Sequence, residues 1–270
     1  MTAPDRRFDR TARLLGEEGM ARLRAAKVVV IGLGGVGSFA AEALCRAGIG
    51  HLVLCDQDRV CVTNLNRQLP ALASTIGRPK AEVMAARARD VDPHATVEAA
   101  AFPYGPETAE ALVGKDVTHV VDCIDIIKAK LHLLARCVEL QIPVVSSMGA
   151  GGRLDPTRVC IADLSETYND LFAKDVRKLL RKRYGIRCDR DMGIPAVFSP
   201  EKARAALPTD QAAEGPFPCA CHPQEEGRTC GTRRLVWGTA SFVTGTLGLA
   251  AASVAIRRIA AGTATPPTPL

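Results

Sequence analysis

The sequence lacks a long uninterrupted apolar run, and its start shows no signal-peptide pattern. The most apolar stretch, ASFVTGTLGLAAASVAI at 240–256, is broken by glycine, serine and threonine, and a transmembrane helix needs about 20 apolar residues. We therefore expect a buried helix there and no integral membrane segment, with a peripheral membrane contact as the alternative. Without a signal peptide, the ten cysteines are interpreted as reduced thiols of a cytoplasmic protein rather than as disulfides.

Positive charge is in small excess: the sequence has 35 lysines and arginines and 29 acidic residues, so its formal net charge is +6. This balance leaves room for a local basic face toward an anionic partner, so nucleic acid is allowed without being implied. The 270 residues are 47% hydrophobic, which is enough for a large core. One α/β domain with an appendage is the expectation.

Strands and helices alternate along the first 150 residues. Segments such as VVVIG and HVVDCID are apolar on both faces, which is typical of parallel strands covered by helices on both sides. The sequence therefore predicts an α/β fold with a doubly wound, mostly parallel sheet. The predicted organisation is a helical lead-in at 1–26, a core at 27–165, and residues 166–270 as part of the same domain. The smaller elements include a helix at 107–114, a strand at 158–165, a basic helix at 175–185, a long excursion at 189–235 and a closing helix at 237–259.

The motif GLGGVG at 32–37 places Gly32, Gly34 and Gly37 between a predicted strand and a predicted helix. Glycines at this spacing let the backbone approach a phosphate that is held at the helix N-terminus. Asp56 ends the next strand, where a carboxylate can bind ribose hydroxyls. The pattern fits NAD as well as ATP, and its simplest alternative is a tight turn with close helix packing.

The residues after the second strand favour a triphosphate. VTNLNRQ supplies Asn64, Arg67 and Gln68, and GRPKAEV supplies Lys80 at the start of the following helix. Two cations beside a glycine loop can neutralise the β- and γ-phosphates, and arginine adds bidentate geometry. An NAD site has no use for such a cluster. The alternative is a capped loop with solvated charges.

Two acids, Asp122 and Asp125, end the strand VVDCID, and open α/β sheets place ligand-binding groups at the carboxyl ends of their strands. A carboxylate beside phosphates is suited to hold magnesium. We therefore predict a Mg-ATP site in which Asp125 is the metal ligand. Asp125 could instead cap the helix that starts near Ile126.

Together, GLGGVG, the acids of DQD at 56–58, NLNRQ, GRPKAE and DCID resemble the adenylation core of the HesA/MoeB/ThiF family, which ubiquitin-activating enzymes and bacterial sulfur-carrier adenylyltransferases share. This resemblance covers about residues 8–150. A closer resemblance covers nearly the whole chain. RFDRTARLLGEEGMARL, SSMGAGGRLDPTRV, ADLSETYND and VRKLLRKRYG are similar to the branch that dehydrates threonylcarbamoyladenosine in tRNA to its cyclic form.

The resemblance implies a homodimer that activates a carboxylate by attack on the α-phosphate of ATP. It also implies a tRNA substrate that carries threonylcarbamoyladenosine at position 37. Carried over by motif, the catalytic residues are Arg67, Lys80 and Asp125, with Arg10 projecting into the partner subunit's ATP site. The nucleotide-binding residues implied are Gly32, Gly34, Gly35, Gly37, Asp56, Asp58, Asn64, Arg67, Gln68, Lys80, Asp122 and Asp125.

The late cysteines leave metal binding open. Zinc-binding relatives carry two C-x-x-C pairs, and this sequence has none. Cys219, Cys221, His222 and Cys230 could hold Zn²⁺, Cys230 could be catalytic or carry sulfur from a sulfur-transfer protein, or the segment could be a loop without such a role. No motif supports a monovalent cation.

The basic helix at 175–185 has an apolar face and a cationic face, so it could contact the phosphate backbone of tRNA or simply be solvated. Three other functions stay open. The nearest is adenylation of a ubiquitin-like sulfur-carrier protein, against which the absent C-x-x-C pairs argue. The others are a NAD-dependent oxidoreductase and a non-enzymatic RNA-binding module.

Overall fold

The structure is a computed structural model that describes residues 6–206 and 237–263. Its strands are β1 (Lys27–Ile31), β2 (His51–Cys55), β3 (Thr96–Ala100), β4 (His119–Asp122), β5 (Val144–Ser147), β6 (Cys160–Asp163) and β7 (Pro195–Phe198). Its α-helices are α1 (Asp9–Ala25), α2 (Gly37–Arg46), α3 (Lys80–Val91), α4 (Ala109–Leu112), α5 (Ile127–Leu140), α6 (Leu171–Tyr184) and α7 (Ser241–Ala261). Short 3₁₀ helices lie at Val62–Asn64, Ala73–Thr75, Pro156–Arg158 and Leu164–Glu166.

The strands form one sheet in the order β3-β2-β1-β4-β5-β7-β6. Every neighbouring pair from β3 to β7 is parallel, and β6 joins antiparallel to β7. The chain order reverses between β1 and β4. In an open α/β sheet, a crevice forms at such a reversal outside the carboxyl ends of the strands, and ligands bind there.

Helices cover both faces of the sheet. Successive strand residues point to opposite faces, so Val28 and Val30 belong to one buried cluster while Val29 and Ile31 belong to the other. The first cluster holds residues of α2, α3 and α7, and the second holds residues of α4, α5 and α6. The two clusters explain why the central strands are apolar on both sides.

The predicted fold class is confirmed, and the structure adds two differences. The strand β7 lies within the segment 189–235 that the sequence predicts to be an excursion, and it sits between β5 and β6. It has only four residues, begins with Pro195 and is followed by further irregular chain, so nothing periodic marks it. The helix predicted at 107–114 is a single turn, α4. The predicted domain boundaries stay a prediction.

The closing helix α7 is a core helix. By length and composition alone it could cross a membrane, since its mean hydropathy is 1.3, but 56% of its most apolar window is buried inside the protein. Glycines make its contact with α2 close: a Cβ at Gly248 would lie 2.2 Å from the carbonyl oxygen of Val36, and one at Gly245 would lie 3.2 Å from the ring of Phe39. This packing agrees with the predicted buried helix, and no feature of residues 6–206 or 237–263 supports a peripheral membrane contact.

The close contact between α7 and α2 predicts that Gly248→Ala is destabilising. Alanine favours a helix by about 1 kcal/mol over glycine, but the added methyl group would collide with backbone, and overpacking costs about 1–3 kcal/mol. Because the collision is with backbone, we expect a cost near the top of that range and a net loss of about 2 kcal/mol in the free energy of unfolding, measured by urea denaturation. The matched control is Gly105→Ala, because a Cβ there meets nothing within 4 Å. Equal stability of the two variants would contradict the packing described.

Candidate nucleotide-binding site

The glycine loop after β1 is built for close backbone approach. Gly32 has φ 89° and donates its N–H to the carbonyl of Cys55 at 2.8 Å. A Cβ at Gly32 would lie 2.7 Å from the carbonyl oxygen of Cys123, and one at Gly37 would lie 1.7 Å from that of Gly32. No side chain caps the N-terminus of α2, which begins at Gly37. A helix N-terminus of this kind is suited to bind an anion such as a phosphate.

Asp56 follows β2 and is tied to the glycine loop. Its carboxylate accepts the N–H of Leu33 at 2.6 Å and the N–H of Asp58 at 2.8 Å. Burial raises the pKa of Asp56 above its ordinary value, and the nearby charge of Lys80 opposes that effect. The carboxylate keeps lone pairs beyond these two bonds for ribose hydroxyls. Its role in ribose binding stays a prediction.

Lys80 lies at the start of α3 and is only 4% exposed. Its Nζ lies 2.9 Å from Oδ2 of Asp58, and its backbone N–H donates to the carbonyl of Asp58 at 2.9 Å. The structure therefore brings Asp56, Asp58 and Lys80 together beside the glycine loop. A buried ammonium that is held by one carboxylate can be shared with an incoming phosphate.

The segment 62–68 carries the other predicted polar residues. Asn64 is buried, and its Oδ1 accepts the N–H of Cys61 at 3.1 Å, which closes the 3₁₀ turn. Arg67 is half-buried and donates Nη1 to the carbonyl of Thr63 at 2.9 Å and to Oδ1 of Asn66 at 2.8 Å. The capped-loop alternative thus describes Asn64 well, while Arg67 presents its guanidinium at the surface.

Gln68 joins this segment to the glycine loop. It is 8% exposed, and its Oε1 is a buried acceptor without a hydrogen-bond partner among the described residues. Its Nε2 lies 3.8 Å from the position of a Cβ at Gly34. The hydroxyl of Ser38 donates to the carbonyl of Gly34 at 2.7 Å and accepts the N–H of Leu69 at 3.2 Å. The unpaired Oε1 beside the glycine loop is suited to accept a hydrogen bond from a polar ligand.

The two acids after β4 have different surroundings. Asp122 is fully buried, and its Oδ2 lies 2.6 Å from Nζ of Lys130 and 2.6 Å from Oγ of Ser146. Its Oδ1 accepts the N–H of Ile124 at 3.1 Å. Asp125 is exposed in the turn before α5, and the N-cap of that helix is Ile126. Asp122 therefore fixes the turn that presents Asp125.

Lys130 supports the candidate site from within the protein, and the sequence alone does not indicate it. It is fully buried and also donates to the carbonyl of Ser147 at 3.0 Å, so its charge is held between β4 and β5. In KAKLHLL it looks like an ordinary polar position of an amphipathic helix. The one available signal is its place in the first turn of the helix that follows β4, which brings its side chain back to the strand end at Asp122.

Two cysteines near the glycine loop, Cys55 and Cys123, have pKa values above the ordinary range. Burial, with a smaller contribution from the charge of Asp122, raises the pKa of Cys123 to about 12. Burial likewise raises the pKa of Cys55 to about 12. Both thiols are therefore protonated at neutral pH, and the chemistry of the crevice belongs to its charged side chains and backbone amides.

Asp125 is the predicted ligand of Mg²⁺, and it lies in the described part of the chain. Residues 6–206 and 237–263 contain no group of three histidine, cysteine or acidic side chains that could hold a metal ion. Mg²⁺ with a nucleotide needs only one or two carboxylates, because phosphates and water complete its shell. The exposed carboxylate of Asp125 fits that requirement. The predicted zinc ligands Cys219, Cys221, His222 and Cys230 lie outside the described residues.

Arg10 lies on α1, away from the glycine loop of its own chain. Its side chain is exposed, and Phe8 packs beside Gly48 and under the guanidinium of Arg24 at 5.2 Å. Gly48 follows α2 and so lies at the amino edge of the sheet, opposite the glycine loop. A role for Arg10 in nucleotide binding would need another subunit, and it stays a prediction.

Comparison with known proteins agrees with this geometry. The profile of the ThiF family matches residues 8–268, and the chain belongs to this family. The Bacillus subtilis tRNA threonylcarbamoyladenosine dehydratase is 46% identical over 194 residues, which are 72% of this chain and 74% of that protein. The crystal structure of the E. coli tRNA N6-threonylcarbamoyladenosine dehydratase TcdA in complex with ATP is 36% identical, with a TM-score of 0.80, and the match covers 96% of this chain and 95% of that one. The Salmonella typhimurium molybdopterin-synthase adenylyltransferase is 34% identical over 138 residues, about half of each chain. The resemblance to the adenylation family is therefore confirmed.

The buried ion pair predicts a large effect for Lys130→Met. Removing the ammonium would leave the carboxylate of Asp122 buried and without its charged partner, which costs about 3–5 kcal/mol. We expect the midpoint of urea unfolding to fall accordingly, and adding Asp122→Asn should recover part of the loss. The matched control is Lys128→Met on the exposed side of the same helix, with an expected change within about 0.5 kcal/mol. If Lys130→Met were as stable as the control, the pair would not hold the turn.

Proposed function

We propose that this chain is an ATP-dependent dehydratase that cyclises threonylcarbamoyladenosine at position 37 of tRNA. One observation carries the proposal. The glycine loop, which has no side-chain cap, is bonded to Asp56, and Lys80 is paired with Asp58 after the same strand, in a chain that aligns over nearly its full length with the TcdA structure that contains ATP. We expect Arg67 and Asp125 to face the same crevice.

The reaction proceeds in two steps that balance. A carboxylate oxygen of the threonyl group attacks the α-phosphorus of ATP, and the bond to pyrophosphate breaks, which gives an acyl adenylate. An internal nitrogen of the same modified nucleoside then attacks the activated carbonyl, loses its proton and expels AMP. The oxygen lost from the nucleoside leaves with AMP, so ATP cleavage drives the net loss of water.

The chain's own residues would hold the reactants and stabilise developing charge. Backbone amides of the loop from Gly32 to Gly37 would bind phosphate oxygens, and Asp56 would bind the ribose. Lys80, released in part from Asp58, and Arg67 would face the charge that builds on the phosphates. When bound, Mg²⁺ supplies further charge neutralisation, and Asp125 would hold it.

Several residues of the predicted site would act indirectly. Asp122 has all its described bonds inside the protein, so it would position the turn of Asp125 rather than touch the nucleotide. Asn64 would shape the 3₁₀ turn that presents Arg67. Gln68 would satisfy its Oε1 on the ligand. A homodimer in which Arg10 reaches the partner subunit's site, a sulfur-transfer partner for the late cysteines and a cytoplasmic location belong to the same proposal.

The second candidate function is adenylation of a ubiquitin-like sulfur-carrier protein. The observation in its favour is the match to the molybdopterin-synthase adenylyltransferase, which covers about half of this chain. The match to the dehydratase structure extends through α6 and α7, and the absent C-x-x-C pairs argue against the carrier reading. Pyrophosphate exchange separates the two. The dehydratase requires modified tRNA for exchange, whereas the carrier enzyme requires a protein that ends in Gly-Gly.

The charge of Arg67 and Lys80 predicts a loss of turnover when either is replaced. We expect Arg67→Ala and Lys80→Ala to lower kcat for modified tRNA by about 100-fold to 1,000-fold, because each removes a cation that faces the transition state. The rate is measured as release of AMP. Arg59→Ala is the control for Arg67→Ala, since Arg59 is an exposed arginine that likewise donates to a backbone carbonyl, that of Gly77 at 2.9 Å. The role assigned to these cations is wrong if kcat stays within threefold of the parent enzyme.

A further inference from the structure

A stripe of cations runs along one side of α6. Lys174, Lys178 and Arg181 are exposed, and with Arg177 they fall at positions i, i+3, i+4 and i+7. Residues at this spacing share one helix face and repeat about every 5.4 Å along the axis. A neighbouring face of α6 is buried through Ala173, Val176 and Leu180, so the stripe has a fixed orientation.

The stripe forms one wall of a groove of about 400 Å³. The other wall is the segment after α6, which supplies Arg187, Cys188 and Asp189. Arg187 and Asp189 pair at 2.9 Å, and this hydrogen bond and charge hold the pKa of Asp189 below its ordinary value. Asp189 is thus neutralised by Arg187 of the same wall. The positive charge of the stripe can therefore attract an anionic ligand.

The stripe is electrostatically unfavourable on its own. Like charges at i, i+4 destabilise a helix by about 0.2–0.5 kcal/mol per pair, and no ion pair joins Lys174, Lys178 or Arg181 to a carboxylate in the described part of the chain. The helix dipole favours cations only in the last turn, where Arg181 lies. Lys174 and Lys178 lie earlier in the helix. An anionic partner would compensate the repulsion that the protein alone does not.

The helix that lines the groove starts near the buried Lys130 of the candidate site. The N-cap residue Asp170 lies 3.4 Å from the position of a Cβ at Gly149, just after β5, and Phe172 lies under Nζ of the buried Lys130 at 5.8 Å. Both contacts are at the carboxyl edge of the sheet. Lys174 follows one helical turn later, so the stripe leads away from the edge where the nucleotide would bind.

We propose that this groove binds the phosphate backbone of the tRNA substrate beside the nucleoside that is modified. The inference rests on the proposed function. Its chemistry is that of backbone recognition: lysine ammonium groups contact phosphates without base specificity, and cations repeated along a helix suit the regular charges of a nucleic acid strand. Arg177 has a structural part, because it donates to the carbonyl of Leu164 and the hydroxyl of Thr167 and so anchors α6.

The test replaces the exposed cations of the stripe in the full chain, as Lys174→Gln, Lys178→Gln and Arg181→Gln together. Binding of modified tRNA is measured from 50 to 300 mM salt, alongside ATP binding. We expect tRNA affinity to fall about tenfold or more, and the slope of log affinity against log salt to decrease by about 2, since each lost phosphate contact removes about 0.7–0.9. ATP affinity should not change, and the loss in steady-state assays should fall on KM for tRNA.

The matched control removes the same charge elsewhere, as Lys115→Gln, Arg158→Gln and Arg257→Gln, which are exposed on other elements. This variant should bind tRNA within about twofold of the parent. An equal loss in both variants, or tRNA binding by the stripe variant at parent affinity and slope, overturns the proposal. The proposed function fails separately, if the parent binds tRNA through the stripe and yet leaves its threonylcarbamoyladenosine unaltered.

Discussion

The site depends on one backbone contact at the point where the sheet changes direction. The loop after β1 and the turn after β4 approach so closely that a Cβ at Gly32 would lie 2.7 Å from the carbonyl of Cys123. Gly37 is packed against Gly32 in the same way. Since neither position leaves room for a side chain, the glycine loop and the turn that carries Asp125 form one unit. The buried ion pair of Asp122 and Lys130 fixes the turn within that unit.

The periphery of the crevice follows from this unit. Asp56 accepts the N–H of Leu33 in the loop, and Ser38 ties the loop to the segment of Arg67 and Gln68. The helix α7 then closes the structure from the C-terminal side. Its Thr244 lies 3.0 Å from the position of a Cβ at Gly35. Residues distant in sequence thus support the one glycine loop that we propose to bind the phosphates.

Local sequence signals predicted the elements that have strong patterns. GLGGVG and the apolar strands around it determine a doubly wound sheet, because glycine spacing and two-sided burial are both legible in one dimension. The roles of Asp122 and Asp125 could not be separated in this way. Both acids lie at the end of the same strand. Asp122 is buried because it pairs with Lys130 of the next helix, whereas Asp125 stays exposed. The sequence does not predict β7, because four residues that begin with a proline show no periodicity, and the place of β7 in the sheet depends on long-range pairing with β5 and β6.

The central claim is that the crevice transfers AMP to a carboxylate, and oxygen labelling tests it most directly. tRNA is prepared with ¹⁸O in the carboxylate of its threonylcarbamoyladenosine and converted in a single turnover with ATP, and the AMP is analysed by mass spectrometry. Attack by that carboxylate on the α-phosphorus predicts one ¹⁸O atom in each AMP. Cyclisation that leaves AMP unlabelled, or that places the label in inorganic phosphate, would contradict the account.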